Sequence, residues 1–161
     1  MAQNVSQTIK DQKSNIRETS LLGWARANSL WYYHVGSGCC ADEVFSTMGC
    51  RYDMERFGCL PQTDPSKADL LFVSTLISNK LKEEVIRIYN EMLNPKYVVA
   101  IGACACSGGP FCSSDGVCRL DQILSVDVYI PGCPPRPEAV MYGILKLRES
   151  ISGVGWSPSA N

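Results

Sequence analysis

Apolar runs of strand length alternate with amphipathic segments along this chain, and that alternation restricts its fold more than any other feature. Strands separated by helices form parallel sheets, whose two faces are both buried under helices. The sequence therefore predicts an α/β fold, a parallel sheet with helices on both faces. The runs rich in β-branched or aromatic residues are Leu30–Val35, Leu70–Val73, Tyr97–Ile101 and Val126–Ile130.

Helices are predicted between and after these runs from apolar residues at helical spacing. One begins near Ser78 or Asn79, either of which can cap it, and a second begins at Pro137, a favoured first helical residue. Residues 20–29 also fit a short amphipathic helix, packed on its own domain or facing a partner or membrane. The apolar faces of the two longer helices are Leu81, Val85, Ile88 and Met92, then Val140, Ile144, Leu147 and Ile151.

Length and composition predict one domain. The chain has 161 residues, 45% of them hydrophobic and 19% charged, which is ordinary globular composition. We expect a domain over residues 19–152, with flexible tails at 1–18 and 153–161. A net charge of −1 gives no argument for nucleic-acid binding. No basic segment followed by an apolar stretch indicates a signal peptide, and no apolar run reaches the ~20 residues that span a bilayer.

Nine cysteines are the most unusual part of the composition. Because nine is odd, they cannot all pair as disulfides within the chain. Five of them follow the predicted strands: Cys39 and Cys40 come after the first, Cys104 and Cys106 after the third and Cys133 after the fourth. The carboxyl ends of parallel strands meet at one edge of a sheet, so these cysteines are expected to lie together.

Clustered thiolates suit zinc, copper(I) or iron–sulfur centres. Zinc sites usually contain Cys-x-x-Cys pairs, and this sequence has none. Adjacent ligands such as Cys39 and Cys40 suit a cluster better, because its iron corners are spread out. A 4Fe-4S cluster is favoured, and a zinc-stabilised structural module stays open. A second cluster is conceivable, although spare thiols are the preferred interpretation of the remaining cysteines, Cys50, Cys59, Cys106, Cys112 and Cys118.

The loops around these cysteines resemble a known family. Gly38-Cys39-Cys40-Ala41, Arg51 to Gly58, Gly102-Ala103-Cys104-Ala105 and the proline-rich Val126 to Ala139 are similar to the family of the B subunit of respiratory complex I, its small cluster-bearing subunit. The similarity runs from about Asn28 to about Leu147.

The resemblance implies a small flavodoxin-like sheet with one 4Fe-4S cluster in its strand-end loops, held by Cys39, Cys40, Cys104 and Cys133. It implies an oxidoreductase subunit that takes electrons from an upstream ferredoxin-like iron–sulfur subunit and passes them to a quinone. The quinone lies against a larger subunit related to that of nickel–iron hydrogenases. Membrane subunits complete such complexes, so the chain is expected at the cytoplasmic face of the membrane, held there by its partners.

The family's quinone pocket corresponds to the segment after the tandem cysteines. Glu43 and Arg51 match the family pattern, whereas Val44 and Phe45 replace its usual methionine pair. Two further departures lie nearby, with Cys50 in place of a proline and Asp64-Pro65-Ser66 in place of Ser-Pro-Arg. A phenazine or an unusual quinone is therefore also open as the acceptor. The residues expected to line the acceptor site are Glu43, Val44, Phe45, Met48, Arg51 and Asp53.

The main alternative is the small subunit of a membrane-bound, energy-converting nickel–iron hydrogenase. In those relatives the first motif usually reads Cys-x-x-Cys, so the adjacent pair Cys39–Cys40 favours the complex-I-like branch. The single histidine, His34, is interpreted as a packed or partner-facing imidazole in preference to a proton relay.

Overall fold

A computed structural model describes residues 21–112 and 116–152. The predicted tails at 1–18 and 153–161 lie outside these residues. In chain order the elements are α1 (Leu21–Ala27), β1 (Leu30–Gly36), α2 (Cys39–Thr47), β2 (Cys59–Pro61), β3 (Leu70–Ser74), β4 (Ile77–Ser78), α3 (Asn79–Glu91), β5 (Tyr97–Ile101), α4 (Gly102–Ser107), β6 (Val117–Cys118), β7 (Val128–Ile130) and α5 (Pro137–Ser152). Short 3₁₀ helices occupy Met54–Phe57, Pro65–Lys67, Gly109–Phe111 and Leu120–Gln122.

Five strands form one parallel sheet in the order β2-β1-β3-β5-β7. Counting only these five strands along the chain, the order is 2-1-3-4-5, the arrangement of flavodoxin-like folds. The central strands β3 and β5 are buried along their whole length. The α/β fold with a parallel sheet is thereby confirmed. A small antiparallel pair, β4 with β6, lies outside this sheet.

Helices cover both faces of the sheet, as the buried runs require. One core layer joins α1, α2 and α5 to the side chains of Leu30, Leu70 and Val99. The other joins α3 and the 3₁₀ helix at Leu120–Gln122 to the alternate side chains, such as Leu71 and Val98. The helices that follow β1 and β3 therefore leave toward opposite faces.

The capping predictions for the two longer helices agree with the structure. Ser78 is the N-cap of α3, and its hydroxyl accepts a hydrogen bond from the Leu81 N–H at 3.4 Å. Pro137 is the first residue of α5. The segment predicted over 20–29 is the shorter α1, which buries Gly23 and Ala27 and leaves Leu21, Leu22 and Trp24 exposed.

Three local features differ from the predictions. The last strand begins at Val128, not at Val126 as predicted. The reason lies just before it, where the Asp127 side chain takes the place of a strand residue and accepts the Val98 N–H at 2.7 Å. β2 was missed, since its three residues are too few to show a pattern and end in proline. Pro61 is tolerated because β2 is an edge strand. Cys39, Cys40 and Cys104 lie in helices that follow the strands, not in loops.

Within the described ranges, 21–112 and 116–152, we found no helix with the length and apolar character needed to cross a membrane.

Candidate iron–sulfur site

The tandem cysteines begin helix α2 directly after the first strand. Gly38 precedes the helix with φ 69°, a left-handed conformation that glycine adopts without steric cost and that turns the chain sharply out of β1. Cys39 is exposed and Cys40 is buried. Neighbouring residues on a helix lie about 100° apart around its axis, so the two thiols are not forced to opposite sides as they would be in a strand.

Cys104 lies in the short helix α4, directly after β5. The residue that starts this helix, Gly102, has φ 83°, and a Cβ built there would lie 2.4 Å from the Sγ atom of Cys40. Such a distance is far below van der Waals contact. The absence of a side chain at Gly102 therefore allows the tandem-cysteine helix to approach the Cys104 segment.

Cys133 follows the last strand and is tied to the same place by the backbone. The Ala103 N–H donates a hydrogen bond to the Gly132 carbonyl at 2.8 Å. Because Ala103 and Gly132 each adjoin a cysteine, this bond fixes the Cys104 segment against the Cys133 segment. Three separate strand ends thus contribute thiols to one edge of the sheet.

The surroundings of two of these thiols, Cys40 and Cys104, favour their protonated form. Burial and the charges of Cys39, Cys104 and Cys133 raise the pKa of Cys40 to about 12. Burial, Cys133 and Cys39 likewise raise the pKa of Cys104. Burial is the larger cause for both groups, and the neighbouring thiols act in the same direction. Metal ions displace such protons when thiolates bind them.

The chemistry of the donor set indicates what this site could hold. Among residues 21–112 and 116–152, no group of three His, Cys, Asp or Glu side chains is gathered closely enough to hold one metal ion. The donor set of soft sulfur ligands fits an iron–sulfur cluster.

The other five cysteines are dispersed over the chain. Cys59 lies in the core, and Cys50 and Cys112 are exposed. The Cys106 thiol lies 3.6 Å from the Ala100 carbonyl oxygen, and the Cys118 thiol lies 3.7 Å from Oδ1 of Asn79. Each has a local environment of its own, which supports the interpretation of spare thiols.

We expect these spare thiols to differ sharply in reactivity. Burial raises the pKa of Cys59 to about 12, so at pH 8 about one molecule in 10⁴ carries the reactive thiolate there. Iodoacetamide at pH 8 should modify the exposed Cys112 in minutes and leave Cys59 intact until the chain is unfolded. Peptide mapping by mass spectrometry measures both sites in one sample. Equal labelling of the two thiols in the folded chain would contradict the buried position of Cys59.

The residues predicted to line the acceptor site are divided between the core and the surface. On α2, Val44 is fully buried, whereas Phe45 keeps 55% of its surface exposed. Met48 lies at the end of this helix, where its sulfur accepts a hydrogen bond from the Tyr32 hydroxyl at 2.8 Å. Of these two α2 side chains, Phe45 is therefore the one presented to the surface, and Val44 belongs to the core.

Arg51 and Asp53 lie in the exposed turn that follows α2. Between them, Tyr52 donates a hydrogen bond to Oε1 of Glu138 at 3.0 Å, which joins this turn to the start of α5. The pKa of Glu138 is lowered by its own backbone N–H and by this hydroxyl. The pKa of Tyr52 is raised, first by the bond to Glu138 and to a lesser extent by Glu43.

Tyr52 and Glu138 were not among the predicted site residues. In the sequence, Glu138 is part of the proline-rich segment Val126 to Ala139 that carries the family resemblance, with no role of its own. Its partner lies 86 positions away along the chain, so nothing in the local sequence links the two. Glu43, Arg51 and Glu138 all lie near Tyr52, since each of them influences the pKa of its hydroxyl.

His34 is packed, as the sequence interpretation preferred. Its Nε2 atom lies 2.7 Å from the Ser74 hydroxyl, and its ring lies edge-on to Phe45 with centroids 5.5 Å apart. Burial lowers the pKa of the imidazole. The ring is therefore uncharged at neutral pH.

Comparison with known proteins places this arrangement in a family. Residues 37–147 match the family described as the 20 Kd subunit of NADH ubiquinone oxidoreductase. The chain is 45% identical over 133 residues to the B subunit of NADH-quinone oxidoreductase from Citrifermentans bemidjiense, a match that covers 83% of this chain and 78% of that protein. It is 43% identical over 152 residues to the K subunit of NAD(P)H-quinone oxidoreductase from a Picosynechococcus strain, covering 91% of this chain and 63% of that protein.

Solved structures give the same picture of the fold. A chain of the membrane-bound sulfane sulfur reductase, an archaeal respiratory membrane complex, superposes with a TM-score of 0.79 at 41% identity, covering 85% of this chain and 77% of that one. An NAD⁺-reducing [NiFe]-hydrogenase chain superposes with a TM-score of 0.59 at 18% identity, covering 81% of this chain and 96% of that one. At 18% identity, the similarity to the hydrogenase chain concerns the fold alone.

Proposed function

Because the chain belongs to the family of the 20 Kd subunit of NADH ubiquinone oxidoreductase, we propose that it carries one 4Fe-4S cluster and passes electrons inside a membrane-associated complex. Its proposed ligands are Cys39, Cys40, Cys104 and Cys133. The observation that carries this proposal is the close approach of three strand-end segments: a Cβ built on Gly102 would lie 2.4 Å from the Sγ atom of Cys40, and the Ala103 N–H donates a hydrogen bond to the Gly132 carbonyl at 2.8 Å.

Residues of the chain account for each requirement of such a site. The four thiolates would hold the iron atoms, and Gly102 leaves the space that lets Cys40 and Cys104 share one region. The hydrogen bond from the Ala103 N–H to the Gly132 carbonyl holds the Cys133 segment against the Cys104 segment. A 4Fe-4S cluster bound there would supply one-electron redox chemistry.

A quinone or a quinone-like molecule such as a phenazine is the proposed acceptor. Phe45, Arg51 and Asp53 are exposed and lie on α2 or in the turn that follows it, so a second subunit is needed to enclose a ligand there. We assign that role to a larger, hydrogenase-related subunit. An upstream ferredoxin-like iron–sulfur subunit would supply electrons, and membrane subunits would hold the chain as a peripheral component.

Sulfane sulfur is a second candidate acceptor, supported by one specific observation. The structural match to the sulfane sulfur reductase combines a TM-score of 0.79 with 41% identity. The likeness to the [NiFe]-hydrogenase, at 18% identity, supports no particular acceptor. In a sulfur-reducing complex the same chain would deliver electrons to a site on its larger partner.

Stopped-flow reoxidation of the intact, dithionite-reduced complex distinguishes these candidates. We expect decylubiquinone to reoxidise the reduced centre within a catalytic turnover, and polysulfide to do so much more slowly. Faster reoxidation by polysulfide would support the second candidate. If neither decylubiquinone nor polysulfide reoxidises the reduced centre, both proposed acceptors, quinone and sulfane sulfur, are overturned.

Reduction of a quinone consumes two electrons and two protons, so an acidic group near the acceptor should matter. We expect Glu43→Gln to slow quinone reduction on the order of 100-fold, because an amide cannot donate the proton that a carboxylic acid can. The measurement is steady-state quinone reduction by the intact complex, with iron content checked in parallel.

Glu83→Gln is the matched control, since Glu83 is exposed on α3, which packs on the opposite face of the sheet. Turnover of this variant should equal that of the unmodified complex. Unchanged turnover in Glu43→Gln would remove Glu43 from the proton path.

A further inference from the structure

Two side-chain hydrogen bonds fasten the carboxyl ends of β1 and β3 together. The Nε2 atom of His34 lies 2.7 Å from the Ser74 hydroxyl, and the Ser37 hydroxyl lies 2.8 Å from that of Thr75. The chain leaves β1 and β3 toward opposite faces of the sheet. In open α/β sheets this reversal leaves a crevice beyond the strand ends, where ligands bind.

Space for the His34–Ser74 contact depends on a glycine. A Cβ built on Gly36 would lie 2.1 Å from the Ser74 hydroxyl and 2.2 Å from Nε2 of His34. Any other residue at this position would push the two partners apart. Ser74 is itself only 1% exposed, so its hydroxyl needs a partner within the protein, and the imidazole provides it.

The imidazole in turn contacts the exposed aromatic ring of the candidate acceptor surface. The His34 and Phe45 rings meet at an interplanar angle of 79°, an edge-to-face geometry. Contacts of this kind contribute about 0.5–1.5 kcal/mol beyond area burial. Phe45 is 55% exposed, and an exposed ring without such a contact is free to change rotamer.

We propose that His34 is a positioning residue: hydrogen-bonded to Ser74, it fixes the ring of Phe45 at the surface that meets the electron acceptor. This inference rests on the proposed function. The positioned phenyl ring gives a ring-bearing acceptor one aromatic contact of fixed orientation.

The test measures KM and kcat of the intact complex with decylubiquinone. Ser74→Ala removes the hydrogen bond that holds the imidazole, and Gly36→Ala displaces the same bond sterically. Each should raise KM about 2- to 10-fold, the effect of losing one aromatic contact, and leave kcat nearly unchanged. Ser37→Ala is the matched control, because it removes the neighbouring hydrogen bond between the same strand ends without touching His34.

A double-variant comparison separates positioning from general loosening. Because Ser74 is proposed to act through Phe45, Ser74→Ala combined with Phe45→Leu should raise KM no further than Phe45→Leu alone. Additive effects, or an equal rise in KM for Ser37→Ala, would overturn the inference.

Electron paramagnetic resonance of the same samples keeps this inference distinct from the proposed function. A normal cluster signal with an unchanged KM in Ser74→Ala overturns only the role of His34. A complex without a 4Fe-4S signal, or one that reduces no quinone, overturns the proposed function and this inference with it.

Discussion

Cys104→Ala is expected to remove the cluster from the full-length chain. Iron should fall from about four atoms per chain to fewer than about one, because a 4Fe-4S cluster depends on all four thiolates. Electron transfer through the complex should fall by at least about 100-fold, the upper end of what changes around a metal site usually cost. Iron and sulfide analysis of the anaerobically purified chain measures the first effect.

Cys112→Ala is the control for the loss of a cysteine as such. Cys112 is exposed and lies just after α4, only eight residues from Cys104. Its replacement should leave iron content and absorbance unchanged. Full iron content in Cys104→Ala, or equal loss in Cys112→Ala, would show that the ligands are wrongly assigned and would reopen the case for a second cluster site.

Gly102→Ala should abolish cluster binding while every cysteine remains. The added Cβ would lie 2.4 Å from the Sγ atom of Cys40, so either the thiol or the start of α4 must move. Visible absorbance of the cluster and iron content report the loss, and circular dichroism reports the fold. Combining Gly102→Ala with Cys40→Ala removes the contact with the thiol but leaves an alanine at φ 83°, so we expect this pair to recover part of the melting temperature without recovering the cluster.

Gly109→Ala is the matched control for Gly102→Ala. Both glycines have positive φ, and both lie near the Sγ atom of a proposed ligand. Gly109 also has positive φ, 56°, but its added Cβ would lie 3.5 Å from the Sγ atom of Cys104, an ordinary contact. We expect this variant to keep its cluster. If Gly102→Ala also binds four iron atoms, the approach of Cys40 to the Cys104 segment is not a requirement of the site.

The fold was predictable because its signals are local and repeated. The runs at Leu70–Val73 and Tyr97–Ile101 are buried on both faces of the sheet, and such burial leaves an uninterrupted apolar pattern in sequence. A short edge strand leaves no such pattern, so Cys59–Pro61 was missed.

The candidate site was predictable as far as topology determines it. Because parallel strands share one carboxyl edge, the positions of Cys39, Cys104 and Cys133 after three strands already indicated a common location. Contacts that join distant residues on the surface carry no such signal. Tyr52 with Glu138 and His34 with Ser74 are pairs of this kind, since each depends on how two elements pack.

The departures from the family pattern near the acceptor are explained in part by packing. Val44 stands where the resemblance leads one to expect a methionine, and the structure places it fully within the core. Phe45 instead projects outward against His34. The chemistry of the acceptor surface therefore depends on Phe45 more than on Val44.

Low-temperature electron paramagnetic resonance of the dithionite-reduced chain, alone and within its complex, is the decisive test of the proposed electron-transfer role. In the isolated chain we expect one spin with the signal of a reduced 4Fe-4S cluster, and the loss of that signal in Cys104→Ala, in the isolated chain and within the complex. Two spins per isolated chain would show a second cluster on the thiols interpreted as spare. A silent sample that contains zinc in place of iron would contradict the electron-transfer function.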